Sequence, residues 1–159
     1  MIATDIAIMA LLALAPLSSE IEGDWRCGPY EVVGQMYQAT VEEQVTYGSD
    51  GSYESEGVST YVFMGDIIGD ERVVIEASFA GEWRLEAGQL LRRLSSQRVV
   101  STDHPAITAE VIQAMLDETE PVGDWVHYEL RETGERLVTY SASARREEAR
   151  VEVSCVRKT

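Results

Sequence analysis

The stretch Arg72-Val-Val-Ile-Glu-Ala-Ser-Phe-Ala-Gly-Glu-Trp-Arg-Leu-Glu-Ala-Gly-Gln-Leu-Leu-Arg-Arg-Leu94 sets the architecture of this chain. Every second residue from Val73 gives Val73, Ile75, Ala77, Phe79, Gly81, Trp83 and Leu85, an apolar set ending in aromatics. The positions between them, Val74, Glu76, Ser78, Ala80, Glu82, Arg84 and Glu86, are largely polar. A period of two marks a strand with one buried and one solvated face. Gly81 falls where so long a strand needs to bend, because a residue without Cβ tolerates a kink or bulge. Glu86-Ala87-Gly88 turns the chain, and Gln89 starts the return.

The segments before this strand repeat the pattern. Ala39 to Tyr47 alternates, with Val41, Glu43, Val45 and Tyr47 on one face. Gly48-Ser49-Asp50-Gly51 is a hairpin turn. Ser52 to Phe63 returns with Tyr53, Ser55, Gly57, Ser59, Tyr61 and Phe63 on one face, aromatic at both ends and small in the middle. Small inward residues leave room for a ligand, or they face a large neighbour such as Trp83. Residues 64–71 form a loop whose Ile67 and Ile68 are expected to fold over an open end. Nearer the N-terminus, Gly23 to Cys27 opens the domain as a short strand, and Gly28-Pro29 ends or kinks it. Tyr30 to Gln38 is ambiguous and is compatible with a loop over one end.

Beyond the organising strand, Gln89 to Ser101 is poorly patterned: Leu90 and Leu94 share a face with Arg92, and Leu91 shares one with Arg93. Ser101 to Pro105 breaks the sheet. Ile107 to Glu118 reads as a helix with Thr108 as N-cap and a stripe of Ile107, Val111, Ala114 and Met115, widened by Ile112 and Leu116. Three further strands follow: Asp124 to Arg131, Arg136 to Ala144 and Arg150 to Lys158. The fold class is mainly β, an antiparallel meander β-barrel of about eight strands with one helix inserted before the last three. Such a meander curls until its first and last strands meet, which removes exposed edges.

At 159 residues the chain is long enough for one domain with a proper core. Residues 6–17 form an apolar run too short to span a bilayer as a helix. It matches the core of a secretory signal, so 1–19 is read as a signal peptide and 20–159 as the domain, secreted or periplasmic. Against this, no Lys or Arg precedes the run, and Asp5 has the wrong sign. Cys27 and Cys155, near opposite ends of an exported domain, suggest one disulfide; two unrelated buried thiols are the alternative. The net charge is −15, from 28 Asp and Glu against 13 Lys and Arg. That disfavours nucleic acid and anionic membrane surfaces, which would repel the chain. It is compatible with a basic protein partner, or simply with solubility.

At Gly23-Asp24-Trp25 the chain resembles the lipocalins and the wider calycin group, whose barrels open their first strand with glycine, any residue, then tryptophan. The resemblance implies that Trp25 closes the barrel floor and that Arg157, near the last strand, stacks over it as a cation–π pair. Gly81-Glu82-Trp83 has the same form mid-chain. The helix precedes the last three strands instead of following the eighth, and Thr102-Asp103 has no tyrosine three residues on. The chain therefore reads as a lipocalin-like bacterial barrel and not as a lipocalin proper, and no binding residues carry over.

Little in the sequence points to catalysis. His104 precedes Pro105 in a polar turn and is expected to be solvated; His127 shares a strand face with Glu129 and Arg131. No cluster has metal-ligand spacing, no phosphate-binding glycine loop precedes a helix, and no cofactor is implied. The sequence predicts a non-enzymatic barrel that binds a small hydrophobic ligand. The expected lining is Tyr47, Tyr53, Tyr61, Phe63, Ile75, Phe79 and Trp83, with Ile67 and Ile68 at the entrance. The alternative is an acidic inhibitor or immunity-type protein, with Glu42, Glu54, Glu56, Glu76 and Glu82 steering a basic protein partner.

Overall fold

A computed structural model describes residues 17–34, 36–63, 71–119, 122–141 and 151–159. The alternating stretch becomes a strand, β4 (Arg72–Glu86), that turns through Ala87 and Gly88 into β5 (Gln89–Thr102). Preceding it are β1 (Gly23–Val33), β2 (Tyr37–Tyr47) and β3 (Ser52–Phe63). Helix α1 (Ala109–Thr119) follows, and then β6 (Trp125–Glu132), β7 (Arg136–Ser141) and β8 (Glu152–Arg157). Each strand pairs antiparallel with its sequence neighbours, and β8 pairs with β1, so the sheet is a closed eight-stranded barrel. The apolar run up to residue 16, the Ile67-Ile68 loop and residues 142–150 between β7 and β8 lie outside the described residues.

Bulges set which residues face inward. On β1 the register shifts between Cys27 and Tyr30, where three steps oppose two on β2. Trp25 and Cys27 point inward before the shift, and Tyr30 and Val32 after it. Gly28 permits this. Its φ is +91°, and a Cβ there would stand 2.5 Å from the Val41 carbonyl oxygen. Residues 30–33 are not a loop over one end but continue β1, and residues 37–38 begin β2. The bulge conserves pairing while breaking the alternation that would have announced it.

A second shift, between Ala80 and Gly81 on β4, explains the poor pattern of β5. Leu90, Arg92 and Leu94 face inward before it, and Gln97 and Val99 share the inward parity of Phe79 and Ala77 after it. Gly81 lies so close to the Arg93 carbonyl and the Tyr53 ring that no side chain fits. The bend expected at Gly81 is thus a close approach of two backbones.

One end of the barrel is filled. Ile21, Trp25, Val45, Tyr47, Tyr53, Trp83, Leu90 and Leu137 pack there around Cys27 and Cys155. Those cysteines oppose each other across β1 and β8 and form a disulfide spanning 128 residues. In the loop-entropy model such a bridge contributes roughly 5 kcal/mol. Trp25 is fully buried, and its indole Nε1 donates to the Ile21 carbonyl at 2.7 Å. Arg157 lies over the Trp25 ring, 4.3 Å from its centroid. Its Nη1 and Nη2 donate to the Glu22 and Glu20 carbonyls at 2.7 Å, and its Nε to the Gly134 carbonyl at 2.9 Å. One side chain thereby ties the N-terminal turn, the β6–β7 turn and the floor together.

At the other end α1 crosses beside β4 and β5. The Thr108 hydroxyl accepts from the Val111 amide at 3.4 Å, the N-cap that the sequence suggested. The buried face is a correction. Ile112 and Leu116 pack on Val73, Ile75 and Val99, whereas Val111, Ala114 and Met115 are exposed. Gln113 decides the orientation. Its Oε1 accepts from the Val99 amide at 2.7 Å, and its Nε2 donates to the Gln97 carbonyl at 3.2 Å. A polar residue inside the contact is satisfied by bonding to the strand backbone, and this outweighs a wider apolar stripe.

Arg157→Met keeps the length of the side chain and removes the guanidinium. A loss of about 2–4 kcal/mol in urea unfolding is expected from the ring contact and the three charged hydrogen bonds. Arg157→Lys should recover only a small part, because an ammonium cannot fork to three carbonyls while stacking on a ring. A loss below about 0.5 kcal/mol, the range of an ordinary surface change, would show that the clamp does not hold the floor.

Candidate functional site: a cavity above a polar shelf

Between the filled floor and α1 the barrel holds a partly open cavity of about 310 Å³. Its wall is built from small residues on adjacent strands: Ala39 on β2, Ser55, Gly57 and Ser59 on β3, and Ala77 on β4. Val41, Ile75 and Phe79 add apolar surface, and Ile112 and Leu116 of α1 close part of the far end. Tyr37, Tyr61 and Phe63 group at that end. Tyr61 and Phe63 stack at 5.9 Å between centroids, and Tyr37 lies 5.3 Å from Tyr61.

Of the residues expected to line a pocket, Tyr53, Tyr61, Ile75 and Phe79 do line this one. Tyr47 and Trp83 sit lower, in the packed floor, with ring centroids 5.3 Å apart in an edge-on contact. The Trp83 Nε1 donates to the Gly48 carbonyl at 2.9 Å, fixing the indole against the β2–β3 turn. Phe63 packs beside Tyr61 near α1. Ile67 and Ile68 lie outside the described residues.

The base of the cavity is polar, which no expected site residue apart from its tyrosines foretold. Glu43 and Arg92 both face inward, with Tyr30, Tyr53 and Tyr128 around them and Tyr47 below. Glu43 is held by the Ser55 hydroxyl, which donates at 2.9 Å, and by the Tyr30 hydroxyl at 3.5 Å. The Arg92 guanidinium rests against Tyr128, 4.3 Å from the ring centroid, and lies 5.6 Å from that of Tyr53. Among the described residues no carboxylate comes within ion-pair distance of Arg92. Burial opposes the charge on Arg92, but the surrounding phenolic oxygens and Glu43 more than offset this and hold it protonated.

The shelf also fixes the protonation of its phenols. Burial pushes the Tyr47 hydroxyl from 10.0 up to about 12, against the pull of Arg92. Burial raises Tyr30 further, reinforced by Glu43, and raises Tyr53 although Arg92 opposes it. These hydroxyls remain neutral donors and acceptors through the physiological range.

Neither histidine belongs to this cavity. His127 is exposed on the outer face, its Nδ1 3.1 Å from the Gln89 Oε1. His104 is not solvated as expected. Its side chain is only 10% exposed, with Nδ1 accepting from the Ala106 amide at 3.1 Å and Nε2 bonded to Glu71 at 2.7 Å. The turn through Pro105 leaves the Ala106 N–H, which the imidazole satisfies, and this draws the ring in. Among the described residues no three His, Cys, Asp or Glu side chains converge on a metal position. Among them also, no helix is long and apolar enough to cross a membrane. Compared with known proteins, the chain matches no family model and no curated sequence.

The raised phenols predict an alkaline limit. Below pH 10 both folded and unfolded states keep the phenolic protons, and their contribution to stability is complete. Above pH 10 the unfolded chain releases protons that the folded state retains, so stability falls up to about pH 12, where Tyr47 itself ionises. Absorbance titration at the phenolate band should show late ionisation of the shelf tyrosines in step with unfolding. A titration in which every tyrosine ionises near pH 10 with the fold intact contradicts the buried shelf.

Proposed function

We propose that the protein is an exported, non-enzymatic, lipocalin-like barrel that carries or sequesters a small, largely apolar molecule. The observation that carries this reading is the cavity. Where a packed barrel would place Leu, Ile or Val, this one places Ala39, Gly57, Ser59 and Ala77 around about 310 Å³ of space. That volume is at the lower end of the range of about 300–1,000 Å³ common for small-molecule pockets. Burial of an apolar body against these walls would supply the affinity, and the tyrosine hydroxyls would orient it. The Cys27–Cys155 bridge supports export, since disulfides persist in oxidising compartments.

A second reading keeps the acidic surface as the working face. Glu42, Glu54, Glu56, Glu76 and Glu82 are exposed on the outer side of three adjacent strands, β2 to β4. Such a wall would speed association with a basic protein at low salt. In that case partner binding would survive filling of the cavity.

Native mass spectrometry of protein purified from its own host, before and after denaturation, separates the two. The binding-barrel reading predicts a small adduct that leaves on unfolding. Ala77→Phe should fill the cavity, abolish the adduct and leave stability unchanged or raised. Absence of any adduct, with a basic protein co-purifying and lost at high salt, would overturn the first reading in favour of the second.

A further inference from the structure

We propose that the cavity selects a ligand with an anionic head, a medium-chain alkyl carboxylate, and that Arg92 receives the carboxylate. The inference rests on the reading of the barrel as a small-molecule binder and names the chemistry of its ligand.

A guanidinium drawn inside a protein is costly unless its donors are met. The two charges of the shelf are met unequally. Glu43 already accepts from Ser55 and Tyr30, so its oxygens are engaged. Arg92 has aromatic rings against it and a hydrogen bond with the Tyr47 hydroxyl, but no carboxylate within ion-pair distance among the described residues. Ring contacts offset part of the charge and accept none of the five in-plane N–H bonds. Arg92 lines the cavity, and so do Tyr53 and Tyr128, whose hydroxyls can donate to the same oxygens. A carboxylate fits this arrangement because it can take two parallel N–H bonds from one guanidinium. Its tail would run along Gly57 and Ala77 towards Ile112.

Size and charge agree with this choice. At about 30 Å³ for each water-sized group, the cavity holds on the order of ten heavy atoms, which octanoate matches. The net charge of −15 repels an anion at long range. That repulsion is screened over about 8 Å at physiological ionic strength, so the shelf decides, where Glu43 is engaged by Ser55 and Tyr30 and Arg92 keeps donors for an incoming anion.

The test is calorimetric titration of the full chain, near neutral pH and physiological ionic strength, with octanoate, 1-octanol and octylamine. Octanoate should bind about tenfold or more tightly than octanol, as expected for a charged hydrogen-bonded pair, and octylamine should bind weakest. Arg92→Met should abolish the advantage of octanoate and leave octanol affinity within about threefold. If octanol equals or exceeds octanoate on the unaltered protein, or if Arg92→Met keeps the preference, the anionic-head assignment is overturned while the binding barrel stands. If none of the three binds, both fall. Should Arg92→Met fail to fold, the ranking on the unaltered protein decides alone.

Discussion

Closure of β1 on β8 is the constraint from which the rest of the barrel follows. Three groups enforce it at one end: the Cys27–Cys155 bridge, the buried Trp25, and Arg157 lying across that indole with three carbonyls in its grasp. The bridge acts on the unfolded chain by shortening its reach. The arginine acts on the folded one by satisfying backbone carbonyls that two turns would otherwise leave unpaired. Because both act at the same end, that end can be packed solid, and the remainder of the barrel is free to depart from close packing.

That division accounts for the placement of the aromatic residues. Tyr47 and Trp83 are consumed by the floor, while Tyr61 and Phe63 gather near α1, with small side chains between them. A barrel of eight strands is just wide enough for side chains to fill it. A belt of alanine, glycine and serine therefore leaves space that larger residues would occupy. The polar shelf lies at the boundary, where solid packing gives way to space and where Glu43 and Arg92 are partly compensated by serine and tyrosine.

Much of this was legible in the sequence, and the exceptions have physical causes. Strict alternation from Val73 to Leu85 announced β4, and the turns at residues 48–51 and 86–88 announced its neighbours. Bulges hid the rest. At Gly28 the extra residue shifted Tyr30 to the inner face and made a continuous strand look like a loop. Near Gly81 the shift split β5 into two phases, so that neither parity read as inward. The shelf left a signal in the pattern: Glu43 interrupts the face of Val41, Val45 and Tyr47, and Arg92 interrupts that of Leu90 and Leu94. A charge on an apolar face reads as an outward residue or a broken strand until pairing brings the two interruptions into one barrel. For α1 the error was of another kind. Periodicity ranks faces by apolar area, whereas Gln113 bonded to the β5 backbone chose the face.

One half of this barrel is solid, and the other holds space of a size suited to a small molecule. Methyl-resolved NMR of isoleucine-labelled protein during titration with 1-octanol tests it most directly. Ile75 and Ile112 line the cavity, and Ile21 lies in the floor. Saturable shifts are expected at Ile75 and Ile112, with the Ile21 methyl unmoved. Saturable shifts at Ile21, or none at Ile75 and Ile112, would contradict this division of the barrel.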